Sequence, residues 1–391
     1  MDRVTRQAIR SFPRGMWVVA AGNFVNRFGG FVVPMLALRI TDLGYTKGEA
    51  GTVLGVYGAG KLASVIAAGT WTDRYGHRAV ILASAFSSAA VMLGMAALTD
   101  YTQILIAALV LGFASELFRT PMSALIAEFS APENRITAFA LNRLAVNAGF
   151  AFGPAIGGML AHWSFTWVFI GNATTEILYG LIAWRGLPAR VTSGLQSAEA
   201  GGRADGSWRE VFADRRLVLF LAAIFPITFI YMQSISSFAL YTADQGLTPS
   251  EYGRLLSFNG VLIVTCELSL TAVTRRFDPR HVLMLGYALL GFGYALTGFV
   301  HTFWPLGGVV VLWTLGEMIS APPQGAVLAN MAPDRLRARY MGASGFLWGA
   351  AVIVGPWLGT LLYAWSPTAL WVFSAGVGLA SAAMVHFALR R

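Results

Sequence analysis

Apolar stretches of close to twenty residues follow one another along the whole chain, each bounded by a short polar or charged turn. A helix rises 1.5 Å per residue, so about twenty residues cross the ~30 Å hydrocarbon core of a bilayer. The runs are continuous and rich in Leu, Ala and Gly, which predicts helices rather than the alternating strands of a barrel. Twelve spans are expected, at 15–39, 50–72, 79–98, 103–127, 137–162 and 166–186, then at 217–242, 251–273, 281–300, 304–329, 339–363 and 367–389. Residues 187–214, rich in Gly, Ser and Ala with mixed charge, read as a flexible cytoplasmic linker. The expected organisation is an N-terminal six-helix half (1–186), this linker, and a C-terminal six-helix half (215–391).

The two halves carry similar sequences. Glu116 pairs with Glu317 at an offset of about 201, and with the same offset Pro121 falls on Pro322 and Ala131 on Ala332. Leu43 to Gly58 likewise matches Gln245 to Gly260, aligning Gly44 with Gly246, Glu49 with Glu251 and Gly51 with Gly253. A duplicated set of apolar segments in the same order is the pattern of a transporter with parallel halves, related by an axis along the membrane normal. The first apolar stretch is too long for a signal-peptide core and is expected to remain as the first span.

Composition supports lipid as the solvent: 56% of residues are hydrophobic and 12% charged, about half the usual charged share. The formal net charge is +9, which could suggest nucleic acid, so its distribution decides. About 21 of the 28 Lys and Arg fall in alternate loops and the termini, the positive-inside pattern. They include Arg3, Arg6, Arg10, Arg14, Arg74, Arg78 and Arg135, then Arg275, Arg276, Arg280, Arg335, Arg390 and Arg391. Both termini are therefore expected in the cytoplasm, and nucleic acid is not an expected partner. Cys266 is the sole cysteine, which excludes an intramolecular disulfide and any paired-cysteine metal site. Gly55 to Lys61 matches most of a phosphate-binding loop, but Leu62 stands where Ser or Thr must reach magnesium. Neither a metal, a cofactor nor catalysis is expected.

The second span ends in GTWTDRYGHRAVI, with Gly69, Asp73, Arg74, Gly76 and Arg78 at set spacing. The fifth holds Gly149, Gly153, Pro154, Gly157 and Gly158. The first group resembles the GxxxDRxGRR loop motif of the major facilitator superfamily, with His77 where an Arg is usual; the second resembles the GxxxGPxxGG signature of its drug:proton antiporters. Arg119 resembles the buried basic residue of a third motif. The resemblance covers essentially the whole chain and implies an all-α membrane fold of twelve transmembrane helices in two halves, gated by these residues. It also implies a proton-coupled exporter in a bacterial cytoplasmic (inner) membrane, acting as a monomer on small molecules. Physically, Asp73 can cap a helix and pair with Arg78 as a latch for one access state. The glycines allow close helix approach and Pro154 loosens its helix.

Ionisable and strongly polar residues inside spans are costly and mark candidate sites. Glu116 and Arg119 are three apart and can pair on one helix face. Glu317 has Ser320 in place of that arginine, and an acid left in an apolar wall can take up and release protons. Glu317, then Glu267 and Glu116, are the candidate proton-coupling acids. Arg27, Arg119, Asn23, Asn142, Arg143, Gln233 and Asn259 are the candidate substrate-binding residues. Efflux of amphipathic compounds is the leading expectation. The alternative is proton-coupled transport of a defined polar or anionic metabolite, such as a sugar, peptide or siderophore, whose carboxylates the buried arginines would bind.

Overall fold

The computed structural model describes residues 11–131, 134–188, 208–333 and 336–390. Arg3, Arg6, Arg10, Arg335, Arg391 and most of the expected linker (189–207) lie outside the described residues. The architecture is all-α, with no strand among the described residues. The N-terminal set comprises α1 (Arg14–Phe28), α2 (Val32–Asp42), α3 (Lys47–Tyr75), α4 (His77–Met95), α5 (Tyr101–Glu116), α6 (Arg119–Glu128), α7 (Arg135–Trp163) and α8 (Phe165–Gly186). A short α9 (Trp208–Ala213) leads into α10 (Arg215–Tyr231), α11 (Ser237–Asp244), α12 (Pro249–Thr274), α13 (Pro279–Thr297), α14 (Phe303–Met331), α15 (Arg337–Trp365) and α16 (Pro367–Ala388).

Helix occupies every one of the twelve expected spans. By length and hydropathy, seven helical stretches among the described residues could cross a membrane, or eight counting α3, which bends by 44° between Val65 and Ala67. The others are interrupted or diluted by buried polar residues, as α8 is by Asn172 and Glu176. The interruptions depart from the uninterrupted spans expected at 15–39, 103–127 and 217–242. The first breaks at Gly29–Gly30, where the freed Val32 N–H donates to Asn172 Oδ1 at 3.1 Å. In the fourth span Pro121 has no N–H and its ring crowds the Leu117 carbonyl, so α5 ends and α6 begins there. The seventh is cut by a 3₁₀ turn, Met232–Ile235. Breaks at membrane depth persist only where neighbours satisfy the backbone.

The duplication is visible in the helix starts. Gly44 and Gly246 have φ of 91° and 77°, a left-handed conformation that a side chain resists. Two residues later Thr46 and Thr248 cap α3 and α12, each in a reciprocal capping box with Glu49 or Glu251. Identical local chemistry thus starts two equivalent helices.

The two sets meet along two seams. In one, α3 lies on α15; a Cβ on Gly51 would sit 1.6 Å from Thr360 Oγ1, and one on Gly55 would sit 3.2 Å from Trp357 Cβ. In the other, α7 lies on α12, and a Cβ on Gly253 would sit 2.1 Å from the Pro154 carbonyl oxygen. Bare backbone is what permits this proximity. Both seams begin at the end of the bundle that carries Gly44 and Gly246. There Lys47 pairs with Asp244 from the other set, and the Tyr363 hydroxyl also donates to Asp244.

Candidate functional site

Inward from those seams the buried charges collect between the sets. The contact of α3 with α5 is close enough that a Cβ on Gly112 would meet the Tyr57 carbonyl oxygen at 2.0 Å. That approach puts Lys61 beside Glu116 one turn on, with Nζ 3.4 Å from Oε2. Arg119, just past the break in the fourth span, reaches Oε1 at 3.5 Å, and Arg27 from α1 lies 4.0 Å from the same oxygen. The expected Glu116–Arg119 pair is therefore part of a four-residue cluster. Spacing along one helix gave the pair; the contributions of Lys61 and Arg27 come from packing.

On α1, one residue before Arg27, Asn26 donates to Glu176 Oε1 at 2.8 Å, and both are buried. Asn23, a turn earlier, donates to Asn142 on α7. The adjacent Arg143 crosses to the C-terminal set and pairs with Glu267 on α12. Glu267 and Arg143, expected as an acid for protons and a group for substrate, are thus brought together as one ion pair.

Glu317 on α14 has a different setting. Asn259 Nδ2 donates to its Oε2 at 3.2 Å and to Thr314 Oγ1 at 2.9 Å, and Tyr231 lies within electrostatic reach of the carboxylate. Among the described residues no cation lies within ion-pair distance, although Arg143 is within electrostatic reach. Ser320, in the place of Arg119, turns its hydroxyl to the Gly316 carbonyl at 2.7 Å. Tyr231 also packs against the half-exposed Trp348, ring centroids 5.9 Å apart. The approach of Tyr231 to Glu317 comes from packing and carries no signal in the sequence.

Gln233 is fully buried and fills the break between α10 and α11. Its amide donates to the Phe229 and Gly355 carbonyls at 2.9 and 3.0 Å and accepts from Ser237 at 2.8 Å. Its polar groups are satisfied there, and the side chain ties the helices together.

The expected gating residues separate into two groups. Gly149, Gly153 and Gly157 lie against Phe24, Phe28 and Phe31 of the first span, whereas Gly158 and the Pro154 carbonyl face α12 of the other set. The fifth-span stripe therefore serves two contacts. Gly76 turns between α3 and α4 with φ of 84°, and Gly69 faces open space. Arg74 lies over the Tyr75 ring at 5.3 Å, and among the described residues Asp73 and Arg78 form no ion pair. At the opposite end Lys47 pairs with Asp244 across the sets, residues that the sequence places in short loops without further signal.

An apolar groove of about 820 Å³ between α10 and α15, lined by Phe212, Val218, Leu221, Phe225, Phe346 and Leu347, stands apart from these charges and suits hydrocarbon. Among the described residues no three His, Cys, Asp or Glu gather as a metal site.

The sequence profile described as Major Facilitator Superfamily matches residues 17–265 and again 233–391. The "Uncharacterized MFS-type transporter YqjV" of Bacillus subtilis is 26% identical, over 96% of this chain and 93% of its own. The "Multidrug resistance protein MdtH" of Aeromonas hydrophila is 25% identical, over 84% and 83%. In fold, the nucleoside transporter NupG superposes with a TM-score of 0.80 at 13% identity, covering 96% of this chain and 99% of that one. A peptide transporter solved with sulfate gives 0.77 at 15% identity, covering 98% and 97%. At such identities the structural likeness speaks for the fold alone.

Proposed function

Because the chain belongs to the Major Facilitator Superfamily, and is thus a multi-span membrane transporter and not an enzyme, we propose that it is a proton-coupled exporter of amphipathic small molecules. The observation that carries proton coupling is Glu317: an acid inside a span, bonded to Asn259 and near Tyr231, with no cation paired to it among the described residues. An acid inside a membrane protein without a paired cation can take up and release a proton as its access to water changes. Export is supported by the likeness to the multidrug resistance proteins and by the fifth-span glycines.

In this reading the chain acts as a monomer in the bacterial cytoplasmic membrane, with both termini inside. The halves 1–186 and 215–391, joined by the 187–214 linker, rock around the central charges. The Gly44 end then faces outward, and the two seams that start there close the site to the exterior. The Asp73–Arg78 latch belongs to the other access state, in which the Gly76 end closes.

The test is proton movement in liposomes holding purified protein and a pH-sensitive dye. Added amphipathic compounds are expected to drive proton flux through the native chain and not through Glu317→Gln. Flux that persists in the variant removes Glu317 as the coupling acid, and absence of flux with any transported compound removes proton coupling.

A further inference from the structure

Glu116 is the counter-ion of more cations than it can neutralise. Arg27, Lys61 and Arg119 arrive from three helices of the N-terminal set and share its carboxylate. The Glu116 side chain is 4% exposed beneath them, whereas theirs keep 34%, 25% and 61%. The other acid within electrostatic reach of Arg27 is Glu176, which is buried and bonded to Asn26. Among the described residues three cations therefore meet two carboxylates, and both acids are buried. Arg143 does not enter this balance, since Glu267 neutralises it.

Excess positive charge inside a membrane protein is costly unless a cavity supplies an opposite charge. An Arg fork and a Lys ammonium converging from separate helices suit a carboxylate, which can accept from both. Across the α3–α15 contact, where a Cβ on Gly349 would lie 3.1 Å from Leu62 Cδ1, Tyr231 and Trp348 of the C-terminal set offer aromatic surface. The two surfaces thus sort a ligand by its ends.

We propose that the compound carried is an amphipathic organic acid, its carboxylate seated on Arg27, Lys61 and Arg119 and its ring system on Tyr231 and Trp348. The assignment names the substrate class of the site under "Proposed function" and rests on that reading.

One naphthalene ring bearing an acetate, an acetamide or an ethylammonium group separates charge from shape. Calorimetric titration of the purified protein with each is expected to favour the acetate by roughly tenfold or more, a difference that shrinks with added salt. Arg119→Gln and Lys61→Met should each remove most of that preference, weakening acetate binding far more than acetamide binding. Arg119→Lys, which keeps the charge, should retain much of it and controls for folding. Equal affinities, tightest binding of the ammonium, or binding of none of the three overturns the assignment. The liposome assay keeps the two readings apart: proton flux driven by the ammonium compound with the acetate inert sinks the organic-acid class alone, whereas acetate that binds and crosses without moving protons sinks the proton-coupled reading alone.

Discussion

Glu116 and Glu317 occupy corresponding places in the two repeats, yet three cations surround the first and, among the described residues, none pairs with the second. The divergence turns on few positions. Arg119 is replaced by Ser320, whose hydroxyl is absorbed by its own helix, and the partners left to Glu317 are an amide and a phenol. Paired cations hold an acid ionised, whereas neutral donors favour the carboxylate less strongly and leave it freer to take up a proton. A third buried acid is paired as well: Arg143 with Glu267 forms an ion pair that links α7 to α12. Its value lies in the connection and not in bulk stability, because Arg143 is well exposed and such pairs contribute little on their own. If the pair acts as one unit in transport, its members fail non-additively. Arg143→Gln and Glu267→Gln are each expected to slow transport several-fold, and the double variant to be no slower than the worse single. Additive losses in liposome transport rates would mean that the residues act separately.

Among the elements, the starts of α3 and α12 are the clearest copies. Nothing lies within 4 Å of a Cβ placed on Gly44 or Gly246, so alanine there tests backbone strain without a clash. Gly44→Ala and Gly246→Ala should each destabilise the protein by about 1–2 kcal/mol. Thr46→Ala, which removes one cap, should cost about 1 kcal/mol. As the two turns lie on different helix sets, the glycine effects should add in thermal unfolding in detergent. These starts were legible in the sequence, because Gly, then Thr, then Glu three residues on is a local signal that needs no tertiary context. The spans were legible for the same reason, their length and apolarity being local properties. The breaks were not. Gly29–Gly30 and Ser236–Ser237 look ordinary in a membrane helix, and what makes each break stable, Asn172 or Gln233, lies elsewhere in the chain or depends on a distant carbonyl. The candidate site was legible as a set of charges and illegible as a set of partners. Spacing gave Glu116 with Arg119, but Lys61 reaches the same carboxylate because glycines let α3 and α5 touch, and Gln233 left the site because Gly359 makes room for it within the bundle.

For the whole molecule, alternating access requires that both seams at the Gly44 end separate in every cycle. Those seams are close-packed: glycines on α3 face α15, and Gly253 and Gly260 on α12 face Pro154 and Ala151 on α7. Packing of that kind has two arrangements, together or apart, and few between. A covalent tie across one seam should therefore stop the cycle outright and not slow it in proportion. Gly55 and Trp357 are suited to it, because a Cβ on Gly55 would lie 3.2 Å from Trp357 Cβ, within a few tenths of an ångström of disulfide spacing. With the one native thiol removed by Cys266→Ser, Gly55→Cys with Trp357→Cys is expected to lose transport on oxidation and recover it on reduction. Each single cysteine should be indifferent to both treatments. The tied protein should still bind ligand from the Gly76 side, because the charges around Glu116 lie inward of the tie and keep their exposure. Transport that continues with the tie formed, verified by the mobility of the oxidised chain on a gel, would mean that the halves do not rock apart at the Gly44 end. Loss of binding together with transport would instead place the ligand's entry on the side that the seams close.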